Sequence, residues 1–182
     1  MSSLRGRLLV ASPALVDPNF RRSVVLVAEH SEDGGAMGVV LSRPSETSVA
    51  EAAPVLEQLV EPGAVVHVGG PVEPGAVLVM AEFEDPGDAA VMVFDGVGFM
   101  SGESEPGDVA AATRRARIFV GYAGWAPGQL EAELEEESWL VIDPEPADVF
   151  SAESEDLWSV VLARQGGPLA LLSRMPPDPT QN

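Results

Sequence analysis

Two imidazoles, His30 and His67, and several serines are the side chains in this sequence best suited to proton transfer and nucleophilic chemistry. His30 sits among Glu29, Glu32 and Asp33, a setting for a hydrogen-bonded turn or for a carboxylate-rich metal site. No His-x-x-x-His or comparable spacing puts two nitrogen ligands on one element, and cysteine is absent, so neither a metal nor a cofactor is expected. A hydrolase needs a serine, a base and an orienting acid. Ser23, Ser42 and Ser101 are available, yet none lies in a Gly-x-Ser-x-Gly elbow. Paired carboxylates for glycoside chemistry give no usable signal, because among 29 acidic residues some always lie close together. Gly96, Gly98 and Gly102 miss the spacing of a dinucleotide fingerprint, and Glu103 and Glu105 would repel a pyrophosphate, so a glycine-rich turn is the better reading.

The least ordinary segment is Gly121 to Gln129. Trp125, flanked by Gly124 and a Pro127-Gly128 turn, suits either a stacking platform or a core tryptophan around which glycines bend the backbone. Gln129 either caps the helix that follows or reads a ligand amide. Gly69-Gly70-Pro71 suits either a close approach of backbone segments or the floor of a pocket.

These residues must be positioned by short β-rich runs. Arg7 to Ala11, Ser23 to Ala28 and Met37 to Leu41 read as strands, the last two joined by a hairpin turn over Ser31 to Gly35. Their near-continuous Val/Leu content predicts burial on both faces. Ser48 and Glu51 form a capping-box pattern for a helix to about Leu59, kinked or split at Pro54. Further strands are predicted at 65–68, 77–80, 91–94, 118–120 and 139–142. A helix capped by Asp108 is predicted to reach Arg115, and Gly121 to Gln129 is expected to be a fixed loop. Leu130 and Leu134 define a short helix ending at the Glu135-Glu136-Glu137 run, where acids oppose the macrodipole. A last helix runs from Ser154 to the Gly166-Gly167 stop. Several strand connections are too short for a helical crossover, so the class is mixed α-β, α/β or α+β, with a mixed sheet.

The chain of 182 residues fits one domain over 1–174, with room for a small subdomain around 62–107 and a flexible Pro-rich tail at 175–182. No run approaches the ~18 apolar residues of a spanning helix, and Pro13, Asp17 and Pro18 interrupt any secretory-signal pattern, so a cytoplasmic location with no membrane contact is expected. The ten basic residues are all arginines, which excludes Schiff-base and P-loop lysine chemistry. A net charge of -19, with Arg114, Arg115 and Arg117 as the one basic cluster, argues against direct nucleic-acid binding.

Five blocks in order carry a family resemblance. They are Leu8 to Pro13 with Asp17 to Val25 and Glu29-His30; Gly35 to Val40; Gly69-Gly70-Pro71-Val72; Gly121-Tyr122 through Trp125 to Gly128-Gln129-Leu130-Glu131; and Trp139 with Trp158. The sequence resembles the YqgE/AlgH family of bacterial proteins from about Gly6 to about Leu172. It departs at Ser42, where an asparagine is expected before Arg43-Pro44, and in its Pro-rich tail, which replaces a Gly-His-Ala ending. The resemblance implies a compact mixed α-β fold with a curved, barrel-like sheet flanked by helices. One branch of the family carries a transcriptional-regulator label, but nothing here resembles a helix-turn-helix, so a regulatory role would be indirect.

The leading expectation is a non-enzymatic binding or regulatory domain acting through an unidentified protein or small-molecule partner. Its candidate ligand or interface residues are Asp17, Arg22, His30, Gly69, Gly70, Trp125 and Gln129. The alternative is a hydrolase-like enzyme with a pocket built from Asp17, Arg22, His30 and the Gly124-Trp125 loop. A direct transcriptional regulator is the weakest of the three.

Overall fold

The computed structural model describes residues 1–177. The apolar runs at the start of the chain form an antiparallel meander of β1 (Leu8–Ala11), β2 (Val24–Ser31) and β3 (Gly35–Val40), and β10 (Trp139–Ile142) adds antiparallel to the outer edge of β1. β2 continues past the predicted end at Ala28 because a bulge between Val27 and Glu29 lets it stay paired with β3 down to Ser31.

The second half of the sheet is organised by β9 (Thr113–Trp125), which pairs along most of its length with β6 (Val72–Phe83). On its other side β9 meets β5 (Val65–Val68) in parallel at Phe119 and Val120, then β3 antiparallel at Ala123 to Trp125. β4 (Pro44–Ser48) lies against β5, and the hairpin of β7 (Val91–Phe94) and β8 (Val97–Phe99) closes the far edge. The path runs β10-β1-β2-β3-β9-β6-β8-β7, and the sheet is curved but not closed. Residues 62–107 supply β5 to β8, which join the same sheet through β9.

Two local expectations are corrected and a third is made more specific. The Asp108 helix stops early: α2 spans Pro106–Ala112, and Thr113 to Arg115 belong to β9, where Arg115 pairs with Glu82 and Thr113 with Phe83. The expected loop over Gly121 to Gln129 is strand as far as Trp125, with Gly121 at φ +71 absorbing a register break, so only Ala126 to Gly128 lie between strand and helix. The turn at Gly96 is the Asp95-Gly96 pair of the β7–β8 hairpin, both residues at positive φ (39 and 82), while Gly98 sits within β8.

The other helices follow their local signals more closely. Ser48 Oγ accepts the Glu51 amide at 3.2 Å to cap α1 (Val49–Ala52), and Pro54 splits the predicted helix, which resumes as a 3-10 helix over Pro54–Leu59. α3 (Gln129–Glu135) stops at the acidic run. α4 (Pro146–Val149), not among the expected elements, starts on a proline, with Asp148 Oδ2 accepting the Glu145 amide at 2.8 Å. Ser154–Asp156 form a 3-10 turn leading into α5 (Leu157–Gln165), and Gly166, at φ +72, turns the chain into α6 (Gly167–Leu172) rather than ending the helical region.

Alternation along β1 and β2 buries both faces, as expected. Leu8, Val10, Val24 and Leu26 join Phe119 and the α5 residues Trp158 and Leu162 in one core. Leu9 and Val25 join Trp125, Leu130 and Trp139 in another under α3. A third, of Val66, Val79, Ile118, Leu56 and Val109, lies beneath α2 and the 3-10 helix. Of the expected flexible tail only residues 175–177 are described, and there Arg22 Nη1 donates to the Met175 carbonyl at 2.8 Å and Arg21 Nη2 to that of Pro177 at 3.0 Å. Positions 178–182 lie outside the described residues.

Candidate functional site

Trp125 and Gln129 belong to one internally satisfied cluster. Trp125 is 5% exposed and packs with Phe20 and Trp139, each ring centroid 6.1 Å from its own. Its Nε1 and that of Trp139 both donate to Glu133 Oε2, at 2.9 and 2.8 Å. Gln129 Nε2 donates to Glu133 Oε1 at 3.1 Å, and its Oε1 accepts the Ala126 amide at 3.0 Å. Trp125 is therefore a core tryptophan. Gln129 spends its amide on the turn and on Glu133, which leaves little for the ligand-reading alternative. Glu133, four residues after Gln129 on α3, was missed because its signal is lost among so many acids.

His30 is tied to the same helix. Its Nδ1 accepts the Leu4 amide at 2.9 Å, which places the ring proton on Nε2, facing Glu131 Oε1 at 2.7 Å. That hydrogen bond holds the Glu131 carboxyl below its ordinary range. With both nitrogens engaged, His30 has no free lone pair to act as a base. Asp17 closes a local turn, its Oδ1 accepting the Asn19 amide at 2.8 Å. Arg22, at φ 53, places its guanidinium 4.1 Å from the Trp158 ring centroid. Gly69 and Gly70 mark a close backbone approach: a Cβ at Gly69 would strike the Gly121 carbonyl oxygen, and one at Gly70 the Tyr122 carbonyl. His30, Trp125 and Gln129 thus converge on α3 with their polar atoms turned toward protein partners, while Arg22 and the glycines lie elsewhere. None of the seven lines either of the two clefts described next.

The larger cleft, about 830 Å³, opens between β4–β5, β9 and the connection from α4 to α5. Its walls include His67, Arg115, Arg117, Phe150 and Ser154, with Glu61, Glu153, Glu155 and Asp156 also lining it. His67 and Ser154 are each 3% exposed, and His67 Nε2 lies 2.8 Å from Ser154 Oγ. Burial, with help from the Arg117 charge, pushes His67 down to about 4 despite an opposing contribution from the Val65 backbone. The imidazole is therefore neutral at physiological pH. Its Nδ1 is buried without a well-formed hydrogen bond among the described residues, so this serine–histidine pair lacks the acid that orients a catalytic imidazole.

Arg115 and Arg117 differ sharply. Arg115 Nε donates to Glu82 Oε2 at 2.7 Å. Arg117 donates Nη1 to the Val149 carbonyl at 3.1 Å, and no carboxylate among the described residues comes within 4.0 Å of its guanidinium. Burial and the neighbouring Arg115 charge push Arg117 down to about 10.

A smaller, mainly apolar cleft of about 450 Å³ is lined by Met37, Val77, Val79, Phe99 and Met100 among others. Among the described residues no group of three or more His, Cys, Asp or Glu could hold a metal ion, and no helix is long and apolar enough to cross a membrane. His67, Arg117 and Ser154 escaped sequence reasoning as a set because a strand pairing and a helix start 87 residues apart bring the histidine and the serine together.

Comparison with known proteins agrees with the five sequence blocks. The AlgH-like family profile matches residues 8–170. The UPF0301 protein of Streptomyces avermitilis is 45% identical over 190 residues, covering 100% of this chain and 97% of the relative. That of Thermobifida fusca is 44% identical, covering 99% and 96%. A crystal structure of a Corynebacterium diphtheriae protein matches with a TM-score of 0.86 at 32% identity, covering 93% of this chain and 91% of the other. The solution structure of the AlgH protein from Pseudomonas aeruginosa matches with a TM-score of 0.74 at 31% identity, covering 96% and 95%. With a profile spanning nearly the whole fold and relatives aligned end to end, this chain belongs to the AlgH-like family.

Proposed function

We propose that this AlgH-like protein is a non-enzymatic cytoplasmic binding domain that takes a small ligand into the cleft between β5, β9 and the start of α5, with any regulatory effect indirect. The observation that carries this reading is a cleft of ligand size whose wall holds a buried neutral imidazole, a buried hydroxyl and a cation with no carboxylate partner among the described residues. His30 and Gln129, by contrast, are committed to internal contacts. The net charge of -19 favours this over direct DNA contact.

The test is an amide-resolved NMR screen against a mixed library of neutral, cationic and anionic fragments. Hits should shift residues 63–68, 115–118 and 153–157 together. A screen whose hits all map elsewhere, or that yields none, refutes the reading.

A second reading, contact with a basic protein partner, draws on one further observation. Val68 and Val77, 43% and 50% exposed, flank Val120 in register across three strands and form an apolar stripe on an acidic chain. Val77→Ser should abolish affinity capture of such a partner without changing ligand shifts in the cleft.

A further inference from the structure

We infer that the cleft selects a small ligand through an oxyanion, a carboxylate or a phosphate group, held by the Arg117 guanidinium with the Ser154 hydroxyl beside it; this rests on the cleft being the ligand site.

The argument begins with charge. A guanidinium carries five N–H donors, and the described contacts of Arg117 occupy one of them, on the Val149 carbonyl at 3.1 Å. Acidic residues outnumber basic ones 29 to 10, yet no carboxylate among the described residues approaches this cation within 4.0 Å, although Arg115 two residues away has Glu82. A half-buried cation without a counter-ion is disfavoured unless something outside the fold supplies one. Burial and the neighbouring Arg115 charge hold Arg117 down to about 10. His67 adds no competing charge, since it stays neutral.

Ser154 completes the inner wall. When His67 Nε2 carries the proton and donates to Ser154 Oγ, the serine hydroxyl proton is free to donate to a ligand oxygen. An entering acceptor would favour that arrangement.

The remaining charges that line the cleft narrow the class further. Glu61, Glu153, Glu155 and Asp156 are exposed carboxylates. They repel a second anion on the same ligand, so the ligand carries its oxyanion inward and an uncharged or cationic end outward.

The probes are inorganic phosphate, butyrate and the neutral isostere butyramide, titrated at millimolar concentration into the full-length protein while amide shifts of residues 115–118 and 153–157 are followed. Butyrate, phosphate or both should give saturable shifts, and butyramide should bind at least about tenfold more weakly, the factor expected for losing one charge-assisted hydrogen bond. Response to phosphate alone identifies a phosphate ligand, and response to butyrate alone a carboxylate ligand. R117Q should lose the oxyanion response while R117K retains it within severalfold. R117Q should also melt no lower than the parent in the absence of ligand, which a purely structural arginine would not allow.

Equal binding of butyramide and butyrate, or an undiminished response in R117Q, overturns anion selection but leaves the cleft as a ligand site. Silence from all three probes also overturns it, and the fragment screen then decides separately whether the cleft binds anything. Should R117Q fail to fold, the butyrate-to-butyramide ratio on the parent protein carries the test alone.

Discussion

Replacing Trp125 by alanine separates a core tryptophan from a recognition tryptophan. A tryptophan buries roughly 150–250 Å², and at about 25 cal/mol per Å² that burial is worth about 4–6 kcal/mol as an upper estimate. Measured aromatic truncations in cores cost about 3–5 kcal/mol. Removing the indole also removes one donor to Glu133 Oε2, but Trp139 still donates to that oxygen at 2.8 Å, so no carboxylate is orphaned. The expected loss is therefore about 4 kcal/mol, with no large added electrostatic cost. For a chain of this size that corresponds to a melting temperature lower by roughly 8–16 °C. Trp125→Phe, which keeps a ring between Phe20 and Trp139, should cost about 1–2 kcal/mol. The assay is urea titration followed by far-ultraviolet circular dichroism, which does not depend on the deleted fluorophore. An unchanged midpoint with an unchanged slope for Trp125→Ala would refute the packing argument and restore Trp125 as a surface anchor.

Gly70→Ala should cost at least about 2 kcal/mol, since its Cβ would strike the Tyr122 carbonyl and φ is +152; Gly63→Ala, also at positive φ but facing open space, should cost only about 1 kcal/mol in the same denaturation assay. Arg164 donates to both oxygens of Asp148 at 2.8 and 2.9 Å, and Asp148 is 3% exposed, so Arg164→Met should lower stability by roughly 3 kcal/mol by leaving a buried carboxylate unpaired. His67 is held down to about 4 against an ordinary 6.5, so between those values the unfolded chain binds the proton and the folded one does not. Its contribution is fully present above pH 6.5 and is lost as pH falls toward about 4, on the order of 3 kcal/mol in total. Melting curves against pH should show that loss, and His67→Gln should flatten it; an unaltered acid limb in the variant would assign the loss to carboxylates. Generic duplex DNA should give no salt-dependent anisotropy change at micromolar protein and physiological salt, given a net charge of -19.

What the sequence determines by itself is whatever depends on near neighbours. The Val/Leu runs of β1 and β2 specify strands buried on both faces, because consecutive apolar residues leave no solvent side. Ser48 and Pro54 set a helix start and its break through atoms within a few residues. The Asp95-Gly96 turn is equally local, since that dipeptide suits two consecutive positive φ values. Five ordered blocks were also enough to place the family.

Only the tertiary structure decides the rest. Thr113 to Arg115 extend as strand because the ladder to Glu82 and Phe83, about 30 positions away, overrides their local helical context. The same ladder, continued past Gly121, makes a strand of a segment whose glycines read as a loop. Whether a polar side chain is free for a ligand is a question about distant partners. His30 is satisfied by Leu4 and Glu131, 26 and 101 positions away, while Arg117 has no carboxylate partner in the described fold although acids abound along the chain. Of the residues foreseen from type and spacing, His30, Trp125 and Gln129 have their side-chain polar atoms engaged within the fold. The cleft emerged where β5, β9 and the start of α5 meet, since hydrogen-bond satisfaction is a property of the folded neighbourhood and not of the residue.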